Sequence, residues 1–472
     1  MSTNVDNLRI DELRTISCMV TNLVKGKKVT VLGAARSGIA VAALLQEQGA
    51  VVFVSDSGSL EKLTSQVLSL KALGLSYETG GHTERVLDAD LLVLSPGVPS
   101  NVAMVKEAHR RDVRVVSELE VASWFCPAPM VAVTGTNGKT TTTTLLGRML
   151  HDGQVRHAVA GNIGTAFSSV VRDLTAGSVA VLEVSSFQLD DIEMFHPKVS
   201  VLLNITPDHL DRYDHLFEKY MAAKCRVFEN QTLSDYLIYN YDDGETRECV
   251  RRLASLHVRA LPFGIDQQFE EGAFVEEGKL VTVIDGKRSE IIEVGQISIR
   301  GNHNLYNSMA ATLAAQLLNV AVPSIRATLK NFKGVEHRLE FVREVRGVKY
   351  VNDSKATNVD SVWYAVQSFD EPLVLLLGGR DKGNDYSKIH ELVQQRVKAI
   401  VAIGESADTI VKEFSSLCKV EKAGSMEEAV RMASACAVSG EIVLLSPACA
   451  SFDWYDDFEH RGDSFKSIVN AL

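Results

Sequence analysis

Lys139 and Thr140 close the run Thr134-Gly135-Thr136-Asn137-Gly138-Lys139-Thr140-Thr141, directly after apolar Val131-Ala132-Val133. Glycines in such a turn let backbone N–H groups approach phosphate oxygens, and a helix starting at about Thr142 adds a favourable field at its N-terminus. Lys139 supplies a point charge and Thr140 a hydroxyl for Mg²⁺, so the stretch predicts a site for ATP or GTP. Val133 stands where the general pattern G-x-x-x-x-G-K-[ST] has its first glycine, which puts the loop in a narrower group than P-loop proteins at large.

Other candidates follow at strand ends. Glu183 lies near the end of an apolar strand over 179–184, where a carboxylate can hold Mg²⁺ or its water shell against phosphates. The bland alternative is a surface Glu. His209 follows the next strand, 199–203, among Asp208, Asp211 and Arg212; it can bind a divalent ion or be structural. Lys224, on a helix expected over 216–228, reads on its own as a solvated lysine. A buried lysine of lowered pKa could instead take up CO₂ as a carbamate. Three polar loops stand late in the chain: Asn352-Asp353-Ser354-Lys355-Ala356-Thr357-Asn358, Gly378-Gly379-Arg380-Asp381-Lys382-Gly383 and Ser446-Pro447-Ala448-Cys449-Ala450-Ser451-Phe452-Asp453. Three such loops at one sheet edge make a site for a small charged molecule.

The elements that must position these residues alternate between strand and helix, which predicts parallel sheets with helical crossovers in three blocks. The first opens with 29–32 and Gly33-Ala34-Ala35-Arg36-Ser37-Gly38, and its second strand, 51–55, ends at Asp56. This is a dinucleotide-type βαβ unit in which Ala35 replaces the middle glycine, a change that disfavours NAD and leaves another diphosphate open. Strand 91–94 runs into Ser95-Pro96-Gly97-Val98-Pro99, a stiff turn at the ligand-binding edge. Pro127-Ala128-Pro129 marks a linker. Beyond residue 236 the pattern turns β-like, with 280–284 and 289–294 flanking a hairpin turn at Asp285-Gly286. The third block has strands over 348–351, 373–377, 399–403 and 442–445.

Composition narrows the class. The chain has 472 residues, a formal charge of −11, 46% hydrophobic and 23% charged residues, as in an ordinary multidomain globular protein. The acidic balance argues against a nucleic-acid binder. No apolar run has transmembrane length, and the charged first 24 residues do not read as a signal peptide. Leu8, Leu13, Ile16, Val20 and Leu23 predict an N-terminal helix. Seven cysteines without CxxC spacing predict reduced thiols, no zinc site and a cytoplasmic location.

Together these motifs resemble the Mur ligase family of ATP-dependent amide-forming enzymes, and the third-block loops are similar to those of its D-glutamate-adding branch. The resemblance runs from about Val29 to the C-terminus. It implies an α/β fold of three domains: a Rossmann-like uridine-nucleotide domain (25–128), a central P-loop mononucleotide-binding sheet (129–334) and a C-terminal Rossmann-like amino-acid domain (335–472); the N-terminal helical extension (1–24) is longer than the family needs. By resemblance, Arg36, Ser37, Asp56, Ser57, Ser95, Gly97, Asn162 and His209 hold UDP-N-acetylmuramoyl-L-alanine. Gly135 to Thr141, Asn304, Asn307, Arg338 and Asp353 bind ATP. Thr140, Glu183, His209 and a carbamylated Lys224 serve two Mg²⁺ ions. Thr357, Lys382, Ser451, Phe452 and Phe458 surround D-glutamate. The implied catalytic set is Lys139, Glu183, His209 and Lys224, in a monomer that works in peptidoglycan precursor synthesis without nucleic acid or membrane insertion. Competing readings are a family member using another amino acid, an NAD-dependent oxidoreductase with a regulatory nucleotide site, and a non-catalytic nucleotide-binding scaffold.

Overall fold

A computed structural model describes residues 23–252, 258–381 and 383–472. The expected N-terminal helix falls almost wholly outside the described residues, as does Lys382. The first sheet is built from short apolar runs: β1 (Lys28–Leu32), β2 (Val51–Asp56), β3 (Ser76–Thr79), β4 (Leu91–Leu94) and β5 (Arg114–Ser117). They pair in parallel in the order β3-β2-β1-β4-β5, so the order reverses beside β1. That reversal opens a crevice at the carboxyl ends of β1 and β4. Helix α1 (Arg36–Glu47) follows β1 after a three-residue turn. A Cβ on Gly38 would lie 1.8 Å from the Gly33 carbonyl oxygen, so this glycine permits the close approach of helix to turn.

Helix α2 (Glu118–Trp124) leads from β5 towards a nine-stranded sheet. Its strands are β6 (Met130–Thr134), β7 (His157–Gly161), β8 (Val179–Glu183), β9 (Val199–Leu202), β10 (Tyr236–Asn240), β11 (Arg259–Phe263), β12 (Gly272–Glu276), β13 (Lys279–Ile284) and β14 (Lys287–Glu293). The order is β14-β13-β12-β11-β10-β9-β6-β8-β7, parallel except for the β12–β13–β14 edge. Strand β6 is buried at every position, as its unbroken apolar run requires between two parallel neighbours. The helices that bear on the site are α3 (Lys139–Asp152), α4 (Phe217–Cys225) and α5 (Gly244–Arg252). The expected hairpin turn is present: Asp285 and Gly286 both have positive φ, 53° and 70°, as a two-residue hairpin turn demands. Helix α5 interrupts the region expected to be β-like, and α4 is shorter than expected, passing into a 3₁₀ turn at Arg226–Phe228.

The third sheet comprises β15 (Glu340–Val345), β16 (Val348–Asn352), β17 (Leu373–Gly378), β18 (Val397–Ile403), β19 (Lys419–Lys422) and β20 (Ile442–Leu445). It runs β15-β16-β20-β17-β18-β19, followed by helix α6 (Phe458–Asn470). Its antiparallel edge strand β15 was not among the expected strands; it turns into β16 through Arg346-Gly347, again two residues of positive φ. The chain forms two compact units, Met1–Gln296 with Tyr306–Leu329, and Ile297–Leu305 with Lys330–Leu472.

Cys225 at the end of α4 and Cys249 on α5 lie side by side, with Cα atoms 6.3 Å apart. Twenty-four residues separate them in sequence, and only the packing of α4 beside α5 brings them together.

Within the first unit, Glu120 joins the first sheet to the second. Its buried carboxylate accepts hydrogen bonds from the backbone N–H of Glu193 (3.0 Å), Met194 (2.8 Å) and Phe195 (2.9 Å) and from Trp124 Nε1 (2.6 Å). Replacing Glu120 by Ala removes the acceptor of three backbone N–H groups, that of Phe195 buried, and of the buried Trp124 Nε1. Denaturant unfolding is expected to show a loss on the order of 3 kcal/mol, with a smaller loss for Glu120→Gln.

Candidate functional site

The centre of the site forms where β6 gives way to α3. Gly135 and Gly138 both have positive φ, 149° and 86°, so the loop curls with backbone N–H groups facing its hollow. No larger residue fits: a Cβ on Gly135 would sit 2.9 Å from Leu203 Cβ, and one on Gly138 would sit 2.3 Å from Asn307 Oδ1. Asn204, two residues past β9, braces the loop. Its Oδ1 accepts from Asn137 N at 2.8 Å and its Nδ2 donates to Asn137 O at 3.0 Å. Asn307 touches the far side, its Oδ1 accepting from Thr142 Oγ1 at 3.2 Å.

The loop's chemistry-bearing residues converge. Lys139 Nζ donates to the carbonyls of Gly135 and Thr136, each at 2.8 Å. Thr140 Oγ1 donates to Glu183 Oε2 at 2.7 Å, and Asn162 Nδ2 reaches Glu183 Oε1 at 3.3 Å. Thr141 is buried behind them on α3. Glu183 is buried at the end of β8, so the surface-Glu alternative fails.

Lys224 is not a solvated lysine either. It is 1% exposed, and its Nζ donates to Gly135 O at 2.8 Å, 4.7 Å above the Tyr220 ring. Tyr220 in turn bonds Thr136 Oγ1 through its hydroxyl at 3.0 Å. Burial, reinforced by the charge of Lys139, pushes the Lys224 ammonium well below the usual lysine range, against the opposing pull of Asp208, Asp190 and Glu183. His209 sits in left-handed backbone conformation (φ 52°), its ring edge-on to Phe187 at 5.9 Å and its Nε2 3.8 Å from Asp208 Oδ2. Arg212 stacks over the Phe187 ring and donates to the carbonyls of Pro96 and Gly97, each at 3.3 Å.

At the first sheet's edge, Asp56 accepts from Ala34 N at 2.6 Å and from Gly58 N at 2.7 Å. Ser95 Oγ donates to Gly33 O at 3.0 Å. Arg36 and Ser37 open α1, Arg36 exposed, and Ser57 is exposed beside Asp56.

The second unit carries its own polar centre. Asp353 follows β16 and is buried; it accepts from Ser446 Oγ at 2.9 Å and from Leu339 N at 3.2 Å. Burial raises its carboxyl to about 6 despite Arg338 and Arg461 nearby. Arg338 Nε is buried without a hydrogen-bond partner among the described residues. Arg338 lines a cavity of about 830 Å³ with Arg300, Asn304, Lys333, Ser368 and Phe369. An orphaned guanidinium N–H in a cationic cavity suits an anion. Asn304 thus belongs to the second unit and Asn307 to the first. Phe458 packs its ring 6.2 Å from His337 and 4.8 Å from Lys355 Nζ, while Ser451 is buried and Phe452 exposed. Thr357 lies on the loop between β16 and the helix Val359–Gln367. Asp381 closes the glycine-rich loop, accepting from Gly383 N and Asn384 N.

Sequence reading missed three residues that hold these loops. Asn204 and Tyr220 support the phosphate loop, and buried Arg461 on α6 ties Ser354 to Cys449 O through three hydrogen bonds of 2.7–3.1 Å. None of the three sits in a recognisable spacing pattern; each acts across 12 or more residues of chain.

Comparison with known proteins matches three family models: a MurD N-terminal domain over residues 28–104, a Mur ligase middle domain over 133–315 and a Mur ligase glutamate ligase domain over 337–449. The UDP-N-acetylmuramoylalanine–D-glutamate ligase of Chloroherpeton thalassium is 47% identical over 463 residues, 95% of this chain and 99% of its own. That of Salinibacter ruber is 47% identical over 461 residues, 96% of this chain and all of its own. Among solved structures, the UDP-N-acetylmuramate-alanine ligase of Thermotoga maritima gives a TM-score of 0.59 at 17% identity, covering 94% of this chain and 99% of that one. A pseudomurein peptide ligase type C from Methanothermus fervidus gives 0.58 at 20% identity, covering 94% and 100%. These two share the fold.

Because the folded state holds the Asp353 proton more tightly than the unfolded chain, this residue lowers stability as pH rises from about 4 to about 6. Replacing it by Asn removes that dependence. Unfolding free energies at pH 4 and pH 7 are expected to differ between variant and parent by on the order of 2–3 kcal/mol, the Asn form gaining at pH 7.

Proposed function

The chain belongs to the Mur ligase family, and on that premise we propose that it joins the amine of D-glutamate to the carboxyl of UDP-N-acetylmuramoyl-L-alanine at the expense of ATP, in peptidoglycan precursor synthesis. The observation that carries this reading is near-full-length likeness to ligases of that specificity, 47% identical across 95% of the chain. The intact phosphate loop with Thr140 on Glu183 supports it.

A carboxylate is a poor acyl donor, so the reaction goes through an acyl phosphate, attack by the amine, a tetrahedral intermediate and loss of phosphate. Lys139, which rests on its own loop's carbonyls, turns to the γ-phosphate and offsets its charge. Mg²⁺ fits the Thr140–Glu183 pair, whose hard oxygen donors are what the ion takes alongside phosphates and water. When bound there it neutralises developing phosphate charge. As an ammonium, Lys224 donates to a carbonyl and cannot ligate a cation. As a carbamate it offers carboxylate oxygens for a second Mg²⁺ together with His209, and its lowered proton affinity favours the neutral amine that CO₂ needs.

The remaining assignments are part of the same proposal. Residues 25–128 bind the uridine nucleotide through Arg36, Ser37, Asp56, Ser57, Ser95 and Gly97, with Asn162 and His209 on the muramoyl part. Residues 129–334 bind ATP, with Asn304, Asn307, Arg338 and Asp353 on the nucleotide. Residues 335–472 bind D-glutamate through Thr357, Lys382, Ser451, Phe452 and Phe458. We place the enzyme in the cytoplasm as a monomer; among the described residues no helix is long and apolar enough to cross a membrane.

ADP release with UDP-N-acetylmuramoyl-L-alanine, ATP and Mg²⁺ across a panel of amino acids is expected with D-glutamate alone. Turnover with a different amino acid overturns the specificity, and turnover with none overturns the assignment of the first domain. Lys139→Met is expected to lower kcat by about 10²–10³-fold while unfolding at the parental temperature.

A further inference from the structure

A hydrogen-bonded chain at the carboxyl edge of the first sheet lies outside every assignment made so far. Ser55, the buried penultimate residue of β2, has its Oγ 2.7 Å from Glu78 Oε1 on β3 and 2.7 Å from His82 Nδ1. Glu78 also accepts from Thr83 N at 3.0 Å and Thr83 Oγ1 at 2.7 Å. Burial alone would raise the Glu78 carboxyl. The hydrogen bonds from Thr83 and Ser55 outweigh it and hold the group below the usual range, so it is ionised and only accepts.

Proton counting then sets the histidine. Ser55 has one hydroxyl hydrogen, and the carboxylate takes it. The 2.7 Å contact with His82 can therefore be a hydrogen bond only if Nδ1 carries the ring proton and donates to Ser55 Oγ. In the neutral ring this leaves Nε2 with a lone pair. Nε2 has no hydrogen-bond partner among the described residues, and the ring is half-buried.

Sheet order says what that lone pair faces. The glycine turn after β1 is the diphosphate position, and β2 and β3 follow it outward in the order β3-β2-β1. Adjacent strands are about 4.8 Å apart, so β3 lies roughly 10 Å from the diphosphate turn, far enough for a ribose to intervene. The loops after β2 and β3 are joined by Gly80 N donating to Gly58 O at 2.8 Å, which sets the loop that carries His82 beside the Asp56–Gly58 turn. A nucleotide with its diphosphate at Gly33 and its ribose at Asp56 brings its base to His82.

We propose that His82 is a specificity-determining residue for the nucleobase, its Nε2 accepting the imide N3–H of uracil, with Ser55 and Glu78 as positioning residues that set its tautomer. Cytosine presents a lone pair at the same ring position and is repelled. This rests on the reading of the first domain as a uridine-nucleotide site.

The experiment is calorimetric titration of the full chain with UDP, CDP and 2′-deoxy-UDP, and separately with ATP. Wild type is expected to prefer UDP over CDP by roughly tenfold, and His82→Ala to abolish that preference by weakening UDP alone, with ATP affinity retained. Glu78→Gln, which lets Ser55 donate to the histidine, is expected to erode the same ratio with His82 in place. An unchanged UDP-to-CDP ratio in His82→Ala overturns the proposal, as does equal loss of both nucleotides. If His82→Ala instead removes discrimination against 2′-deoxy-UDP, the ribose is the partner and the imide assignment is wrong. If wild type binds none of the three pyrimidine nucleotides while binding ATP, the first-domain reading itself falls.

Discussion

Two lysine ammonium groups meet on one carbonyl oxygen. Lys139 and Lys224 each donate to Gly135 O at 2.8 Å, Lys139 from the loop itself and Lys224 from a helix 89 residues further along the chain. Burial, with Lys139 close by, lowers the proton affinity of Lys224. The carbonyl is available because Gly135 adopts a backbone conformation forbidden to other residues, and the lysines can reach it because β6, β9 and α4 meet there.

The rest of the first unit serves that convergence. Asn204 pins Asn137 from both sides, Tyr220 holds Thr136, and Glu183 takes the Thr140 hydroxyl, so each loop residue is fixed by a different strand or helix. The first sheet repeats the principle on a smaller scale, with Asp56 holding two backbone N–H groups and Ser55 linking Glu78 to His82. In the second unit the same economy is centred on Asp353 and Arg461, buried charges that hold neighbouring loops through hydrogen bonds. In all three sheets, the polar groups gather at the carboxyl ends of parallel strands, where the backbone opens into turns and charge can be hydrogen-bonded without crossing the core.

How much of this was legible varied with the distance over which each signal acts. Apolar runs such as Val131-Ala132-Val133 and Leu373 to Leu377 read as strands because buried parallel strands need little else. The Asp285-Gly286 hairpin was legible because its turn chemistry is local. Strand β15 was missed because its exposed alternation of Glu, Phe, Val and Arg looks like a polar connection until β16 pairs with it. Lys224 misled most: a lysine on a helix of mixed polarity reads as solvated, and nothing nearby in sequence tells that Gly135 and Tyr220 enclose it.

The sequence alone determined the chemistry on offer. A glycine-lysine-threonine turn after an apolar strand is suited to holding phosphate, because that property resides in residues a few positions apart. Tertiary structure decided what those residues are worth. It buried Lys224 against a second cation, brought Cys225 beside Cys249, gave the His82 Nδ1 proton an acceptor in Ser55, and left Arg338 Nε without a partner among the described residues. Proton affinity, tautomer and unmet hydrogen bonds depend on which groups lie within a few ångströms in space, and sequence spacing specifies that only inside a single turn, strand or helix.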